Sequence, residues 1–373
     1  MGRVRCPHRG GGTKRFGKTK AGSQRWRCRG CGATFTRRID NAAKRLSSFL
    51  SWLTSGERQS DMPGGGRTFR RGCAEFWAVW PLPPATGEVH RVVFVDGIRI
   101  ARDAVVLIAS TEEHVIGWHM ARSESSRSWA ALMAPMPPPD VVVRDGGTGF
   151  EKARRRVWPQ TRVQRCVLHA FCQVKRQTTT RPNLQAGVEL YGIAKALLRV
   201  RGLDAAAAWP ASFEERCGRR EGFPSERTAA DDGSWEWTHK RLVTARDGLL
   251  GLVGRGVLFT FLDPELAVDG PLPSTNNRIE GGVNAQIRAM LRDHRGLSTL
   301  RRAKAVYWWC YMHTESPLPA AGILRSMPTD DDIAELYRRT VYEPQRRDGP
   351  AEWGDGPVWA ELHRSDPWRT GWD

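Results

Sequence analysis

The chain has 373 residues, of which 40% are hydrophobic, so it can build two or three domains with real cores. No apolar run approaches the roughly 20 residues needed to cross a bilayer, and the basic N-terminus lacks the apolar segment of a signal peptide. We therefore expect a cytoplasmic protein without a membrane partner. Its eight cysteines are then expected to be thiols or metal ligands rather than disulfides.

Positive charge is concentrated at one end of the chain. The formal net charge is +18, and residues 1–45 contain fourteen Lys or Arg and one acid, whereas the residues after 314 contain seven bases and twelve acids. A basic arm of this kind indicates a polyanionic partner, DNA or RNA, held through its phosphates. The alternative is a solvated surface in an arginine-rich sequence, but such a bias would not concentrate the charge at one end.

Residues 1–40 form this basic arm and look like a zinc ribbon with a changed ligand. Cys28 and Cys31 make one C-x-x-C pair, and Cys6 begins a second pair in which Arg9 stands at the position of the other cysteine. His8 could replace that cysteine, although Cys6-x-His8 is cramped for tetrahedral zinc. The sequence therefore leaves two alternatives open: a zinc site made of Cys6, His8, Cys28 and Cys31, or a decayed one. In either case, five arginines are available for DNA phosphates: Arg25, Arg27, Arg29, Arg37 and Arg38.

Residues 41–80 resemble a helix-turn-helix. The stretches "AAKRLSSFLSWLTSG" and "RTFRRGCAEFWAVW" have helical patterns on either side of "PGGG". The second helix of such a motif reads DNA, which makes Arg67, Arg70 and Arg71 candidate base or phosphate contacts. The alternative is a helix that serves oligomerisation or the core. A Pro-containing linker follows at 81–89.

The central part of the chain predicts an α/β fold. Residues 90–182 begin with three β-branched runs, at 91–100, 103–110 and 114–120, which predict strands. Helix, strand, helix, strand and helix follow, so we predict a mixed sheet covered by helices. Residues 183–270 are predicted to be an all-α insertion domain and residues 271–315 to complete the core. Residues 316–373 are an acidic tail that we expect to be partly disordered.

The stretch "STNNRIEGGVNAQIRAML", residues 274–291, predicts a helix with an unusual start. A run of capping residues precedes an apolar stripe from Ile279 to Met290. Gly281 and Gly282 lie inside this pattern, and each costs about 1 kcal/mol relative to alanine. We therefore expect the strands or a substrate to approach the backbone closely here.

Three acids predict a divalent-metal site. Asp96 and Asp145 end two apolar strands, in "VVFVDG" and "DVVVRDGG", where a charge needs a partner, a metal or an exposed edge. Mg²⁺ prefers carboxylate oxygens with an open approach, and Glu280 is the only acid of the late helix. Each acid alone is explained by a turn or by the helix dipole, but together they favour the metal. Neutral hydrogen bonds around it would come from Asn276, Asn277 and Asn284.

These motifs resemble those of the mutator-type transposases of bacterial insertion sequences. The resemblance is carried by "VFVDG", "VVVRDGG", "QRCVLHAF" and "TNNRIEGGVNAQIR" and covers roughly residues 90–313. It implies a ribonuclease H-like fold with a helical insertion. It also implies that Asp96, Asp145 and Glu280 bind two Mg²⁺ or Mn²⁺ ions for displacement at phosphorus.

"RCVLHAF" fits the Cys-x-x-His signature of that family. His169 near the metals would position the scissile phosphate or a nucleophile, with Cys166 as its support. The alternative is a buried cysteine and an ordinary helix histidine, because two ligands alone do not make a closed zinc site.

Further residues are candidates for contacts with DNA. Trp235 and Trp237 could stack an unpaired base, but we expect them in the core of the insertion. About half of the basic residues on and beyond the Glu280 helix are expected to touch phosphate. These residues are Arg278, Arg288, Arg292, Arg295, Arg301, Arg302 and Lys304.

The combined prediction is a DDE-type DNA transposase associated with a bacterial nucleoid. Its partners would be double-stranded DNA, both the terminal inverted repeats of its element and the target, and further copies of itself in a homodimer or higher assembly. Two alternatives stay open. One is a domesticated DNA-binding regulator without catalysis, and the other is a ribonuclease H-like nuclease without strand transfer.

Overall fold

The computed structural model describes residues 4–6, 8–36, 41–102, 104–218, 226–229 and 232–342. The basic arm folds into a small antiparallel sheet in the order β1-β2-β3, made of β1 (Thr13–Lys18), β2 (Gln24–Cys28) and β3 (Thr34–Thr36). Its strands are short and mostly exposed, so its own apolar core is minimal.

Two helices follow this sheet, α1 (Ala42–Thr54) and α2 (Gly65–Cys73). Gly64, at φ +86°, stands before α2 in the left-handed region that favours glycine. α1 buries an apolar face, and its Phe49 ring lies 5.8 Å from Phe76 and 6.1 Å from Trp308. This helix pair therefore shares one hydrophobic core with the central sheet.

A mixed sheet of five strands lies at the centre of the fold. The strands are β4 (Val92–Ala101), β5 (Ala104–Ser110), β6 (Val115–Ala121), β7 (Val141–Arg144) and β8 (Arg162–Arg165). They are connected by α3 (Ser126–Met133), α4 (Thr148–Val157) and, after β8, α5 (Val167–Thr178). The order across the sheet is β6-β5-β4-β7-β8, with β4, β5 and β6 antiparallel and β4, β7 and β8 parallel. The predicted order of elements and the mixed α/β class are confirmed.

Alternating side chains bury both faces of this sheet. Val93 and Val95 pack with Trp129 of α3 and Phe150 of α4 on one face. Phe94 and its neighbours pack with α1 and the C-terminal helices on the other face. Helices therefore cover both sides, which explains why the strands of the sheet are nearly continuous apolar runs.

The insertion is mostly helical and packs on α5. Its elements are α6 (Gln185–Ala196), α7 (Leu203–Gly218), β9 (Arg227–Ala229), β10 (Trp235–Trp237) and α8 (Lys240–Gly254). The prediction of an all-α insertion is wrong in one respect, because β9 and β10 form an antiparallel pair. Trp235 and Trp237 are 67% and 38% exposed, so the prediction that they are core residues is also wrong. All six residues of this pair are exposed, and the tryptophans therefore stay in solvent.

The last elements return to the central core. A π-helical segment (Arg278–Asn284) leads into α9 (Ala285–Asp293), α10 (Thr299–Met312), α11 (Ala320–Ser326) and α12 (Asp330–Tyr342). Lys304 of α10 is fully buried and donates to the Trp77 carbonyl and the Asp330 carboxylate. It is thus removed from the set of predicted phosphate contacts, because an ammonium held this way cannot reach solvent.

The N-terminal part of the predicted acidic tail is helical in α11 and α12, and Ile323 of α11 is buried. Residues 343–373 of that tail lie outside the described residues. Across the described ranges, no helix combines the length and the apolar character that a membrane span requires.

Candidate active site

Strand pairing brings Asp96 and Asp145 to the same part of the sheet. Val95 of β4 pairs with Arg144 of β7 in parallel register, so the two aspartates follow at neighbouring positions. Parallel neighbours are about 4.8 Å apart and project to the same face. Asp96 is 9% exposed and Asp145 is half-buried, so both acids share one face at the point where β7 ends.

Glu280 reaches this place from the π-helical segment. Its Oε1 lies 3.2 Å from Nδ1 of His169 on α5. Asn284, later in the same segment, is buried, and its Nδ2 donates to Asp96 Oδ2 at 2.5 Å. The charges of Asp145 and Glu280 both act on Asp96. The structure therefore brings the three predicted acids, His169 and Asn284 into one site.

Cys166 connects the elements around the site. Its Sγ lies 3.2 Å from His169 Nδ1 and accepts a hydrogen bond from the Asn276 backbone N–H at 3.2 Å. Asn276 Nδ2 donates to the Val95 carbonyl at 3.3 Å, so this amide holds the strand rather than capping the helix. Burial raises the pKa of Cys166, which keeps it a thiol. Asn277 is exposed and lines a separate surface cleft, so it is not brought to the site.

Gly281 and Gly282 do not have the packing role that the sequence predicts. Apart from the adjoining residues and the backbone of their own helical segment, no described atom lies within 4 Å of a Cβ placed on either residue. The expectation that these glycines let the helix approach the strands is therefore wrong. The segment is π-helical instead, a geometry frequent at functional sites, and the glycines leave open space on its surface.

Burial and negative charge disfavour ionisation of the central carboxylates. The pKa of Asp96 is raised to about 7, first by burial and then by Asp145, with smaller contributions from Glu280 and Glu124, against one lowering hydrogen bond from the Gly97 N–H. The pKa of Glu280 is also raised by burial, although His169 opposes the shift. Such a cluster is costly unless a cation neutralises it.

Unsatisfied oxygens show that a cation fits this site. Asn276 Oδ1 and Asn284 Oδ1 are buried and form no hydrogen bond within the described chain, and buried Glu280 Oε1 contacts the His169 ring nitrogen at 3.2 Å. Buried polar atoms normally have a partner, and carboxylate and amide oxygens are the ligands that hard divalent cations take. Asp96, Asp145 and Glu280, with these amides nearby, could therefore hold Mg²⁺ or Mn²⁺.

A fourth acid, Glu124, lies beside the site and was missed from the sequence. A Cβ placed on Gly97 would be 2.8 Å from Glu124 Oε1, and one on Gly149 would be 2.5 Å from the Glu124 carbonyl. The residue is exposed as a whole, but local covering of its carboxyl group and then the charge of Asp145 raise its pKa. Its position in the sequence could have indicated it, because Glu124 follows β6, and β6 runs in the same direction as β7, which Asp145 follows.

The cysteines of the basic arm form a second candidate metal centre. The Sγ atoms of Cys6, Cys28 and Cys31 all lie within 4.8 Å of one another. His8 is exposed and is not part of this group, so the structure does not support it as the fourth ligand. Hydrogen bonds from the backbone N–H groups of Cys31 and Gly30 lower the pKa of Cys28 to about 7, which favours the thiolate that zinc binds.

Most arginines predicted to contact DNA are at the surface. Arg25 and Arg27 lie 5.9 and 5.1 Å from the Phe16 ring centroid. Arg37 and Arg38 lie outside the described residues. The others are exposed: Arg67, Arg70, Arg71, Arg278, Arg288 and Arg292. Their contacts with DNA remain predictions.

Comparison with known proteins links this geometry to a family. Residues 92–222 match the Mutator family of transposases. The predicted resemblance to mutator-type transposases is confirmed. A relative, the transposase for insertion sequence element ISRM3 of Rhizobium meliloti (strain 1021), is 26% identical over 40% of this chain and 40% of its own length. The chain thus spans about 40% of the length of this relative. The family match contains Asp96, Asp145 and the Cys166–His169 pair, whereas Glu280 lies beyond it.

Proposed function

We propose that the protein is a DNA transposase that cuts the ends of an insertion sequence and joins them to target DNA through Asp96, Asp145 and Glu280. One observation carries the proposal: three acids lie together with two unsatisfied buried amide oxygens beside a sheet whose residues match the Mutator family. The strand order β6-β5-β4-β7-β8, with the first three strands antiparallel, supports a ribonuclease H-like fold for this core.

The three acids would hold two Mg²⁺ or Mn²⁺ ions. When bound, such ions activate the attacking oxygen and neutralise charge on the departing oxygen. In the first reaction a water oxygen attacks phosphorus at the end of the element, and the 3′-oxygen leaves as a hydroxyl. In the second reaction this 3′-hydroxyl attacks a phosphorus of the target strand and displaces the target's own 3′-oxygen.

The residues around the acids set their orientation. Asp96 is fixed from both sides, because Oδ1 accepts the Gly97 N–H at 2.8 Å and Oδ2 accepts Asn284 Nδ2. His169 lies between Cys166 Sγ and Glu280 Oε1, each 3.2 Å from Nδ1, and so positions the glutamate that comes from the distant segment. These contacts preorganise the carboxylates before substrate arrives.

DNA binding would be divided between the N-terminal region and the core. The arginines of the basic arm and of α2 are proposed to recognise the terminal inverted repeats, and those around Glu280 to hold the reacting strands. Cys6, Cys28 and Cys31 supply three thiol ligands for a structural zinc ion, which takes four ligands in all. A homodimer or higher assembly would pair the two ends of the element.

The test uses duplex DNA that carries the inverted repeats bordering the gene, with Mg²⁺ and labelled 3′-ends. Asp96→Asn, Asp145→Asn and Glu280→Gln are expected to abolish cleavage and joining while DNA binding without metal stays within about twofold of the wild type. Asp140→Asn is the matched control, because Asp140 is an exposed acid directly before β7. Cleavage without joined products would identify a nuclease instead, and binding without any cleavage by the wild type would identify a regulator.

A further inference from the structure

A cleft of about 850 Å³ lies between the central sheet and the insertion, next to Asp145. It is formed by β7, β8 and α4 from the core and by α8 from the insertion. Its basic lining residues are Arg144, Lys152, Arg155, Arg156, Arg165 and Arg255. We call this feature the arginine cleft.

Two guanidinium groups of the arginine cleft are buried and form no direct ion pair. Arg144 and Arg165 are 5% and 8% exposed. Arg144 Nη2 donates to the Gly147 carbonyl at 2.6 Å, and Arg165 Nη1 to the Arg144 carbonyl at 3.4 Å. No ion pair of the described chain joins either guanidinium to a carboxylate; the charge of Asp145 favours the charged form of both, and the charge of Arg255 opposes it. A buried cation normally requires a paired anion, so this arrangement points to an anionic ligand.

Both acids that line the arginine cleft already form ion pairs. Glu151 pairs with Arg154 and Arg155, each at 2.9 Å, and Asp247 pairs with Arg246 at 2.8 Å. These two are the acidic residues among the lining side chains of the described chain. With six basic residues and two acids in its lining, the cleft keeps a net positive charge that a ligand from outside can neutralise.

Two glycines allow the backbone to lie directly against the guanidinium groups. Gly146 has φ +134° and Gly147 has φ +106°, in the region that favours glycine. A Cβ on Gly146 would lie 2.9 Å from Arg165 Nη2, and one on Gly147 would lie 3.4 Å from Arg144 Nη2. The backbone that follows Asp145 thus packs directly on both arginines. An anion bound to them would lie next to the metal-binding acids.

We propose that the arginine cleft binds the sugar–phosphate backbone of DNA next to the phosphodiester that reacts. Arg144 and Arg165 form its floor, and the exposed side chains of Lys152 and Arg255 form its rim. No aromatic side chain lines it among the described residues, so bases have no stacking surface, and binding depends on phosphate rather than sequence. The inference rests on the proposed function, because it takes DNA as the substrate of the neighbouring acids.

The proposal gives the insertion a function. Arg255 directly follows α8, whereas Lys152 and the two floor arginines come from α4 and the sheet. A strand in the cleft would contact both parts of the protein. Gly248 and Gly251 line the α8 side of the cleft.

The test measures binding of an unrelated DNA duplex by fluorescence anisotropy, in EDTA and over a series of salt concentrations. The rim variant Lys152→Gln/Arg255→Gln is expected to weaken binding about tenfold or more at low salt. It should also lower the slope of log K against log salt by about 2, which is about one unit per lost phosphate contact. The control Arg325→Gln/Arg338→Gln removes the same charge from exposed positions on α11 and α12 and should leave the slope unchanged.

A second variant tests the floor. Arg165→Lys keeps the charge but loses the planar fork of donors, so affinity should fall with little change of slope, in a protein whose thermal midpoint is checked first. An equal slope in the wild type and the rim variant would overturn the proposal. Cleavage of element ends is scored separately: cleavage with an unchanged slope refutes only the cleft, whereas a reduced slope without cleavage refutes only the transposase.

Discussion

The metal-free protein should become more stable when its central acid is neutralised. The folded protein raises the pKa of Asp96 from 3.8 to about 7, mainly by burial. Below pH 3.8 the carboxyl is protonated in both the folded and the unfolded chain. As the pH rises to 7, the unfolded chain releases the proton while the folded chain keeps it, so the free energy of unfolding falls. Above pH 7 both are ionised and the penalty is constant.

The size of this penalty follows from the shift. A difference of about three pH units corresponds to at most about 4 kcal/mol. About half of it, roughly 2 kcal/mol, develops between pH 5.5 and 8. Asp96→Asn removes the charge, and the unsatisfied Oδ1 of Asn284 can accept the new amide after rotation of its own side chain.

Urea unfolding in EDTA, followed by tryptophan fluorescence at pH 5.5 and pH 8, measures the effect. Asp96→Asn should exceed the wild type in free energy of unfolding at pH 8, and its advantage should be about 2 kcal/mol smaller at pH 5.5. Mg²⁺ should stabilise the wild type and not the variant, because only the wild type keeps the full set of carboxylates. The exposed acid control Asp140→Asn should show no such advantage. If Asp96→Asn is less stable than the wild type at both pH values, the inference that ionised Asp96 destabilises the metal-free protein is wrong.

Three further predictions concern other parts of the molecule. Lys304→Met removes the ion-pair partner of Asp330, to which the Trp80 indole N–H still donates, and should lower the free energy of unfolding by about 3 kcal/mol in urea titrations. The double variant Lys304→Met/Asp330→Asn should recover most of that loss. Cys31→Ser should remove zinc from the purified protein, measured by elemental analysis, and equal zinc content in the variant and the wild type would contradict the three-cysteine site. Gly149→Ala places a Cβ 2.5 Å from the Glu124 carbonyl and should lower the free energy of unfolding by about 1–3 kcal/mol. It should also slow cleavage, because α4 must shift beside Asp145. Unchanged thermal stability would contradict this contact.

Local patterns were sufficient to predict most of the central fold. The β-branched runs correspond to β4, β5 and β6, and the predicted alternation of helices and strands corresponds to α3, β7, α4, β8 and α5. These strands were predictable because a strand buried on both faces is a continuous run of apolar residues. The helical insertion was also visible, but the exposure of Trp235 was not. A tryptophan in a sequence indicates a large apolar surface, and only the neighbours it meets in space decide whether that surface is covered.

The sequence by itself determined which acids were candidates, since Asp96 and Asp145 follow apolar runs and Glu280 is the only acid of residues 274–291. The strand end predicted at Asp96 is wrong, because β4 continues to Ala101. Only the tertiary structure decided what surrounds them. It placed Glu124 beside Gly97, left Gly281 without a close neighbour, and set two buried arginines next to the acids. The physical reason is that strand periodicity is a local property, whereas the pairing of charges depends on strand register and on where a distant segment returns to the sheet.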